Sequence, residues 1–317
     1  MQSLQTIKRR LRGVKSIGQI TKAMELVAAT KMRRSQEVAL ASRPYVYTAL
    51  ELLANMSEVS TTYMPTMLQK RPVKNTVIVV IASDKGLTGS FNSAVFRAFE
   101  KFFVTLPPEA SRSYIAVGQK AISYISKRVK TPAHSFTRFA DITTLEETIP
   151  LADTLINGYL EERWDRALVL YTNFKSAMQQ EVVWREILPV DFESLKNVAE
   201  EIVPKTGRYA EAMRESGVNL FQKGSKGAGG RDYIIEPSPE AVLDQLLPFL
   251  LRMQVYHIVL EANASEHAAR RMAMKNASDN ASDIADTLGL EYNKSRQAGI
   301  TRELIEITGG VESLTKN

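Results

Sequence analysis

Both ends of the chain are written as helices that are apolar along one narrow row and wet elsewhere. Such helices gain most of their stability by packing and do not stand alone in water. At the N-terminus Leu4, Ile7, Leu11, Val14, Ile17, Ile20, Met24 and Val27 recur every three or four residues, the period of a helix face. No proline interrupts before Pro44, and the pattern returns weakly at Tyr45, Ala49, Leu52, Leu53 and Met56. A helix from Ser3 to about Val59 follows, roughly 80 Å long at 1.5 Å per residue. At the C-terminus Ser238 is placed as an N-cap, with Pro239 at the first helical position and Glu240 in the first turn. Val242, Leu243, Leu246, Leu247, Leu250 and Leu251 form a stripe around Pro248, a possible kink. Ala277, Ala281, Ile284, Leu288 and Tyr292 continue it, and Ile300, Leu304, Ile307, Val311 and Leu314 have heptad spacing. The economical way to bury two such rows is to lay the termini against each other as an antiparallel coiled coil. The small residues Ala28, Ala29, Ala277 and Ala281 permit close approach.

The middle of the chain follows another pattern. Thr76–Ser83 is an unbroken β-branched run, as in a buried parallel strand. Helix is expected at Phe91–Val104, Gln119–Val129 and Leu145–Arg163, and strand at Tyr114–Val117, Arg166–Thr172 and Glu181–Ile187. This alternation implies a small doubly wound α/β domain with right-handed crossovers. The fold class is therefore α/β: a long antiparallel coiled coil of the N- and C-terminal helices plus a small Rossmann-like domain. Residues 1–60 and 238–317 make the coiled coil, 74–190 the globular domain, and 191–237 an irregular linker whose Phe221–Arg231 is rich in Gly and Lys.

Charge is uneven. The net charge of +6 is smaller than the surplus in Met1–Gln36 alone, where nine basic residues face one acid, Glu25. That segment is drawn to an acidic protein, a nucleic acid or an anionic lipid surface. It has no aromatic residue before Tyr45 on which a base could stack, which favours the acidic protein over nucleic acid. An Arg-rich, acid-poor start also fits a transit peptide, but the periodic pattern runs past Met32, too far for a removable leader. No stretch of eighteen apolar residues occurs, so no membrane span is expected.

Chemistry-bearing constellations are sparse. There are no cysteines, which excludes thiol nucleophiles, thiolate metal sites and disulfides. His134, His257 and His267 are far apart and lack metal-ligand spacing, so each is expected at the surface or half-buried. Lys85-Gly86-Leu87-Thr88-Gly89 lies between strand and helix, where a phosphate loop would sit. Its lysine, however, precedes both glycines, and Asp84 would repel phosphate, so a structural turn is the better reading. Gly224, Gly227, Gly229 and Gly230 have no leading strand and fail as a dinucleotide fingerprint. No catalytic, cofactor or metal residue is assigned.

Three segments in this order resemble the gamma subunit family of bacterial F-type ATP synthases. They are IKRRLR with ITKAMELVAATKM (Ile7–Met32), SDKGLTGSFN (Ser83–Asn92), and SEHAARRMAMKNASDNA with EYNKSRQAGITRELIEITGG (Ser265–Gly310). Glu236-Pro237-Ser238-Pro239 is similar too. Val311, Arg271 and Ile235 depart from the family pattern, and Val190–Arg231 is longer than usual. The resemblance implies a non-catalytic rotor shaft in one copy, inside a ring of three alpha and three beta subunits that carry catalysis. It also implies epsilon and the proton-driven c-ring as partners at the foot, no cofactor, no nucleic acid, and a peripheral place on the cytoplasmic face of the cell membrane. By position, Met24, Arg270, Arg296, Gln297, Thr301 and Glu303 would face beta, with Lys8, Arg9 and Arg10 as a basic shaft segment. Asp84, Lys85, Gly86 and Thr88 would form a turn near beta and epsilon, and Tyr233 and Glu236 would face the c-ring. The rival class, an α/β enzyme with helical arms, requires a ligand at the carboxyl ends of Val77–Ser83 and Leu168–Thr172.

Overall fold

The computed structural model describes residues 3–41, 63–105, 111–129, 131–139, 143–191 and 236–315. In chain order these form α1 (Leu4–Ala41), a 3₁₀ turn (Thr66–Leu68), β1 (Asn75–Ile81), α2 (Phe91–Thr105), β2 (Ser111–Val117) and α3 (Gln119–Arg128). There follow β3 (His134–Phe136), α4 (Leu145–Leu160), β4 (Arg166–Phe174), β5 (Gln180–Leu188) and α5 (Pro239–Thr315). The expected elements all appear within a few residues of their sequence bounds; β3, only three residues long, was not foreseen. The expected extension of α1 to Val59 and the linker over 192–235 lie outside the described residues. The chain divides into two compact units, residues 1–29 with 270–317, and residues 30–269.

The larger unit is built on a five-stranded sheet in the order β3-β2-β1-β4-β5. The first four strands in that order are parallel, and β5 returns antiparallel to β4. β1 is central and buried on both faces, as its run of Thr, Val and Ile requires. One face carries Ile78 and Val80 against α2 and α3, with Val95, Phe99, Ala121 and Ile125. The other carries Val77, Val79 and Ile81 against α4 and the first turns of α5. Ser238 caps α5 as expected: its Oγ accepts from Ala241 N at 3.2 Å. The helix then continues through Pro248 to Thr315 as one element.

The smaller unit is a helix pair. A Cβ added to Gly18 would stand 3.4 Å from Ala281 Cβ, and Ser278 Oγ donates to Gly18 O at 3.5 Å. Within the larger unit, further along α1, Val38 packs on Met253, Tyr256 and Leu260 of α5. Advancing along α1 thus means retreating along α5, and the helices are antiparallel. Along α1 the covered row Ile7, Leu11, Val14, Gly18, Thr21, Glu25, Ala28, Met32 and Ser35 steps by four and three in turn, with Thr6, Met24, Ala29, Lys31, Gln36 and Val38 half-covered beside it. On α5 the row is Met274, Ser278, Ala281, Ala285, Leu288, Tyr292 and Ser295, with Arg271, Ala273, Ala277 and Gly289 half-covered beside it.

Two expectations are corrected here. Ile17, Ile20 and Val27 do not lie in the seam; they are 53–60% exposed, as is Leu26. Three successive steps of three, from Leu11 to Ile20, carry a row about 180° around a helix of 3.6 residues per turn. The true seam continues instead through Gly18, Thr21 and Glu25. Secondly, Ile300, Leu304 and Ile307 are 47–63% exposed and share no seam with Leu11. Fourteen residues separate Gly18 from Leu4, where α1 begins. The same distance along α5 from Ala281 reaches Ser295, the last covered position; Arg296 to Thr308 are all exposed.

Candidate functional site

At the carboxyl edge of the sheet, the turn after β1 is held from within. Asn92, in the first turn of α2, has its Oδ1 accepting from Ser83 N at 3.1 Å. Its Nδ2 donates to Ser83 Oγ at 2.7 Å and Thr88 Oγ1 at 3.1 Å. Asp84 accepts from Gln119 N at 2.8 Å and Arg138 N at 2.9 Å, tying the β1 turn to the start of α3 and the end of β3. Both its oxygens serve the backbone, which is the structural reading of this loop. Thr88 is buried, whereas Lys85, Gly86 and Leu87 are exposed. Leu87 sits at the apex in the left-handed region, φ 65° and 61% exposed.

At the carboxyl end of β4, beside the crevice where a doubly wound sheet receives ligands, α5 packs against the sheet. Ser265 is fully buried and donates to Thr172 O at 3.0 Å. Asn263 Nδ2 donates to Thr143 Oγ1 at 2.7 Å. Four and eight residues before Ser265 on the same face stand Glu261 and His257, 3.1 Å apart. Burial opposes ionisation of Glu261, but the charge and hydrogen bond of His257, then Arg185 and the Tyr171 hydroxyl, outweigh it and lower its pKa. His257 and His267 are both buried, which corrects the expectation of surface or half-buried histidines; His134 is exposed. Among the described residues no cluster of three or more His, Asp or Glu could hold a metal ion.

The remaining expected contact residues lie on the two helices. Arg296, Gln297, Thr301 and Glu303 are exposed on α5 beyond Ser295, Met24 and Arg270 are half-covered, and Lys8, Arg9 and Arg10 are exposed on α1. The structure gathers these into a helix pair and its overhang, not into a pocket. Glu236 is exposed, and Tyr233 lies outside the described residues. No described helix is long and apolar enough to cross a membrane.

The family model for ATP synthase matches residues 3–314. The ATP synthase gamma chain of Trichormus variabilis is 37% identical over 319 residues, covering 99% of this chain and 100% of that one. The chain belongs to the ATP synthase gamma-chain family. Another relative, the ATP synthase gamma chain of a Geobacter species (strain M21), is 36% identical and covers 99% of each chain. Solved structures share the fold of this gamma-chain family member. A chain of the Euglena gracilis mitochondrial ATP synthase, in a structure of OSCP, F1 and c-ring, aligns with TM-score 0.60 at 20% identity, over 98% of this chain and 94% of that one. A chain of the Tetrahymena thermophila mitochondrial ATP synthase central stalk and c-ring aligns with TM-score 0.54 at 24% identity, over 82% of this chain and 99% of that one.

Sequence reasoning missed the buried polar row of α5. A signal was present: Glu261 and His257 stand four residues apart inside the otherwise apolar Val255–Ala262, where a charged residue has to be paired.

Proposed function

We infer that this chain is the non-catalytic central shaft of an F-type ATP synthase, turning inside a ring of three alpha and three beta subunits. The observation that carries the reading is the bare stretch of α5, exposed from Arg296 to Thr308, in a family whose model matches residues 3–314. A helix with Ile300, Leu304, Ile305 and Ile307 47–64% exposed is shaped for enclosure by a partner. Catalysis belongs to the beta subunits in this reading. The shaft acts by making different contacts with each beta as it turns, which biases that site among its states by differential contact energy.

Arg296, Gln297, Thr301 and Glu303 on the overhang, with Met24 and Arg270 lower on the pair, face beta. The exposed row Ile17, Ile20, Leu26 and Val27 adds an apolar face beside the cationic Lys8, Arg9 and Arg10. Lys85, Gly86 and Leu87 form an outward turn toward beta and epsilon, with Asp84 and Thr88 holding it. Tyr233 and Glu236 face the c-ring. The assembly is peripheral on the cytoplasmic face of a bacterial cell membrane.

Reconstitution tests this. Mixed with ATP synthase alpha and beta subunits, the chain enters a complex as one copy per three of each, and a bead attached to it rotates during ATP hydrolysis. Ile17→Asp with Ile20→Asp leaves the isolated chain as stable as before, since surface changes usually fall within about 0.5 kcal/mol, but impairs incorporation. A wild-type chain that remains outside the ring contradicts the shaft reading.

A further inference from the structure

A shaft must be fixed to whatever turns it, and α5 is the element that runs from the sheet into the helix pair. Its first turns lie on the sheet through apolar side chains, among them Leu247, Leu251, Val255 and Val259. Apolar packing chooses which face of the helix is buried, but each of its contacts is individually non-directional. Hydrogen bonds and paired charges in a dry interface are directional, and a displaced partner is left unsatisfied.

We propose that two opposed sets of polar side chains lock α5 against twisting on the sheet and so carry torque from the α/β unit into the shaft. On one side, Arg252 Nε meets Asp153 Oδ1 of α4 at 2.7 Å at the wet rim, the side chains 38% and 35% exposed, and Asn263 meets Thr143 at the start of α4 at 2.7 Å, part-buried. Eleven residues separate Arg252 and Asn263, about 20° around a helix, so they share a face. On the other side, His257, Glu261 and Ser265 recur every four residues toward β4 and β5. Ser265 reaches Thr172 O of β4 at 3.0 Å; His257 and Glu261 pair with each other along the helix at 3.1 Å, and the charge of Arg185 on β5 and the Tyr171 hydroxyl on β4 help hold Glu261 ionised. Glu261 is nine residues from Arg252, about 180° away. Rotation of α5 in either sense breaks bonds on both sides together, which grip on a single side would not achieve. Buried ionic groups often add little to stability and are best attested as setting register. The proposal gives that role to His257 and Glu261, as positioning residues.

The proposal rests on the rotor reading, and its test separates the two. A bead is coupled to the shaft through Met178→Cys, at an 86% exposed residue of the β4–β5 turn; the chain has no cysteine of its own. The alpha–beta ring is anchored, and angular fluctuation of the bead is recorded during catalytic pauses. His257→Leu, Glu261→Met, Tyr171→Phe and Arg185→Met together replace the network by apolar groups, so that the arginine is not left without the carboxylate. The expected result is an unchanged or higher unfolding temperature and unchanged ATP hydrolysis, with wider angular fluctuation and fewer protons pumped per ATP in the complete enzyme. Should this variant fail to assemble, Asn263→Ala with Ser265→Ala removes the neutral bonds and is read in the same way, and Ser265→Thr, which keeps the hydroxyl, restores the narrow distribution. Fluctuation equal to the parent's in assembled variants overturns the lock while leaving the rotor reading intact. A parent complex whose bead never turns overturns both.

Discussion

Asp165 illustrates how single residues secure the sheet. It accepts from Asn75 N at 2.9 Å and Lys74 N at 3.0 Å, and Arg71 Nε lies 3.0 Å from its other oxygen. Arg71 in turn donates to Tyr159 O and Trp164 O and lies over the Tyr159 ring. One side chain thus ties the segment entering β1 to the end of α4 and the start of β4. Burial raises the Asp165 pKa, but the bonds from Asn75 and Lys74 and the charges of Arg71 and Lys74 win, and it lies below its ordinary value. A carboxyl with a depressed folded pKa contributes stability above its unfolded pKa, about 3.9 for Asp, and loses it as pH falls through the folded value. Asp165→Asn is therefore expected to lower stability at neutral pH and to flatten the acid limb of a stability-against-pH curve measured by urea unfolding. An acid limb of unchanged slope would remove Asp165 from this role.

At the scale of elements, the α/β unit was legible because its signals are local. β1 is a continuous β-branched run, and helices with buried faces alternate with it. The helix pair was legible only in outline. Its existence followed from two lonely stripes, but its register depends on where α1 starts and on Gly18 meeting Ala281, which no periodicity states. Apolarity also misled. On α1 the seam past Val14 is small or polar, and the greasy row from Ile17 to Val27 faces out. Leu288 and Leu304 separate the two roles. Leu288 is 6% exposed and Leu304 57%. Leu288→Asp buries a carboxylate in the seam and is expected to cost the isolated chain about 2–5 kcal/mol, whereas Leu304→Asp stays within about 0.5 kcal/mol. Thermal unfolding of the two variants checks this, and similar losses would put Leu304 back in a seam. The buried row of His257, Glu261 and Ser265 was written in the sequence as polar letters among apolar ones, but their partners on β4 and β5 come from topology.

For the whole molecule, the end of the helix pair at Ser295 divides α5 into a supported length and a lone one. The lone part carries Gly299, which costs about 1 kcal/mol of helix propensity relative to alanine. With no tertiary packing to offset that, its helicity depends on what surrounds it. Backbone amides from Arg296 to Thr308 are expected to exchange with solvent almost freely in the orphan chain and slowly once it is seated in its ring; equal protection in both states would contradict this. Proteolysis follows the same opening, so limited digestion of the free chain is expected to cut near Gly299 and digestion of the seated chain is not.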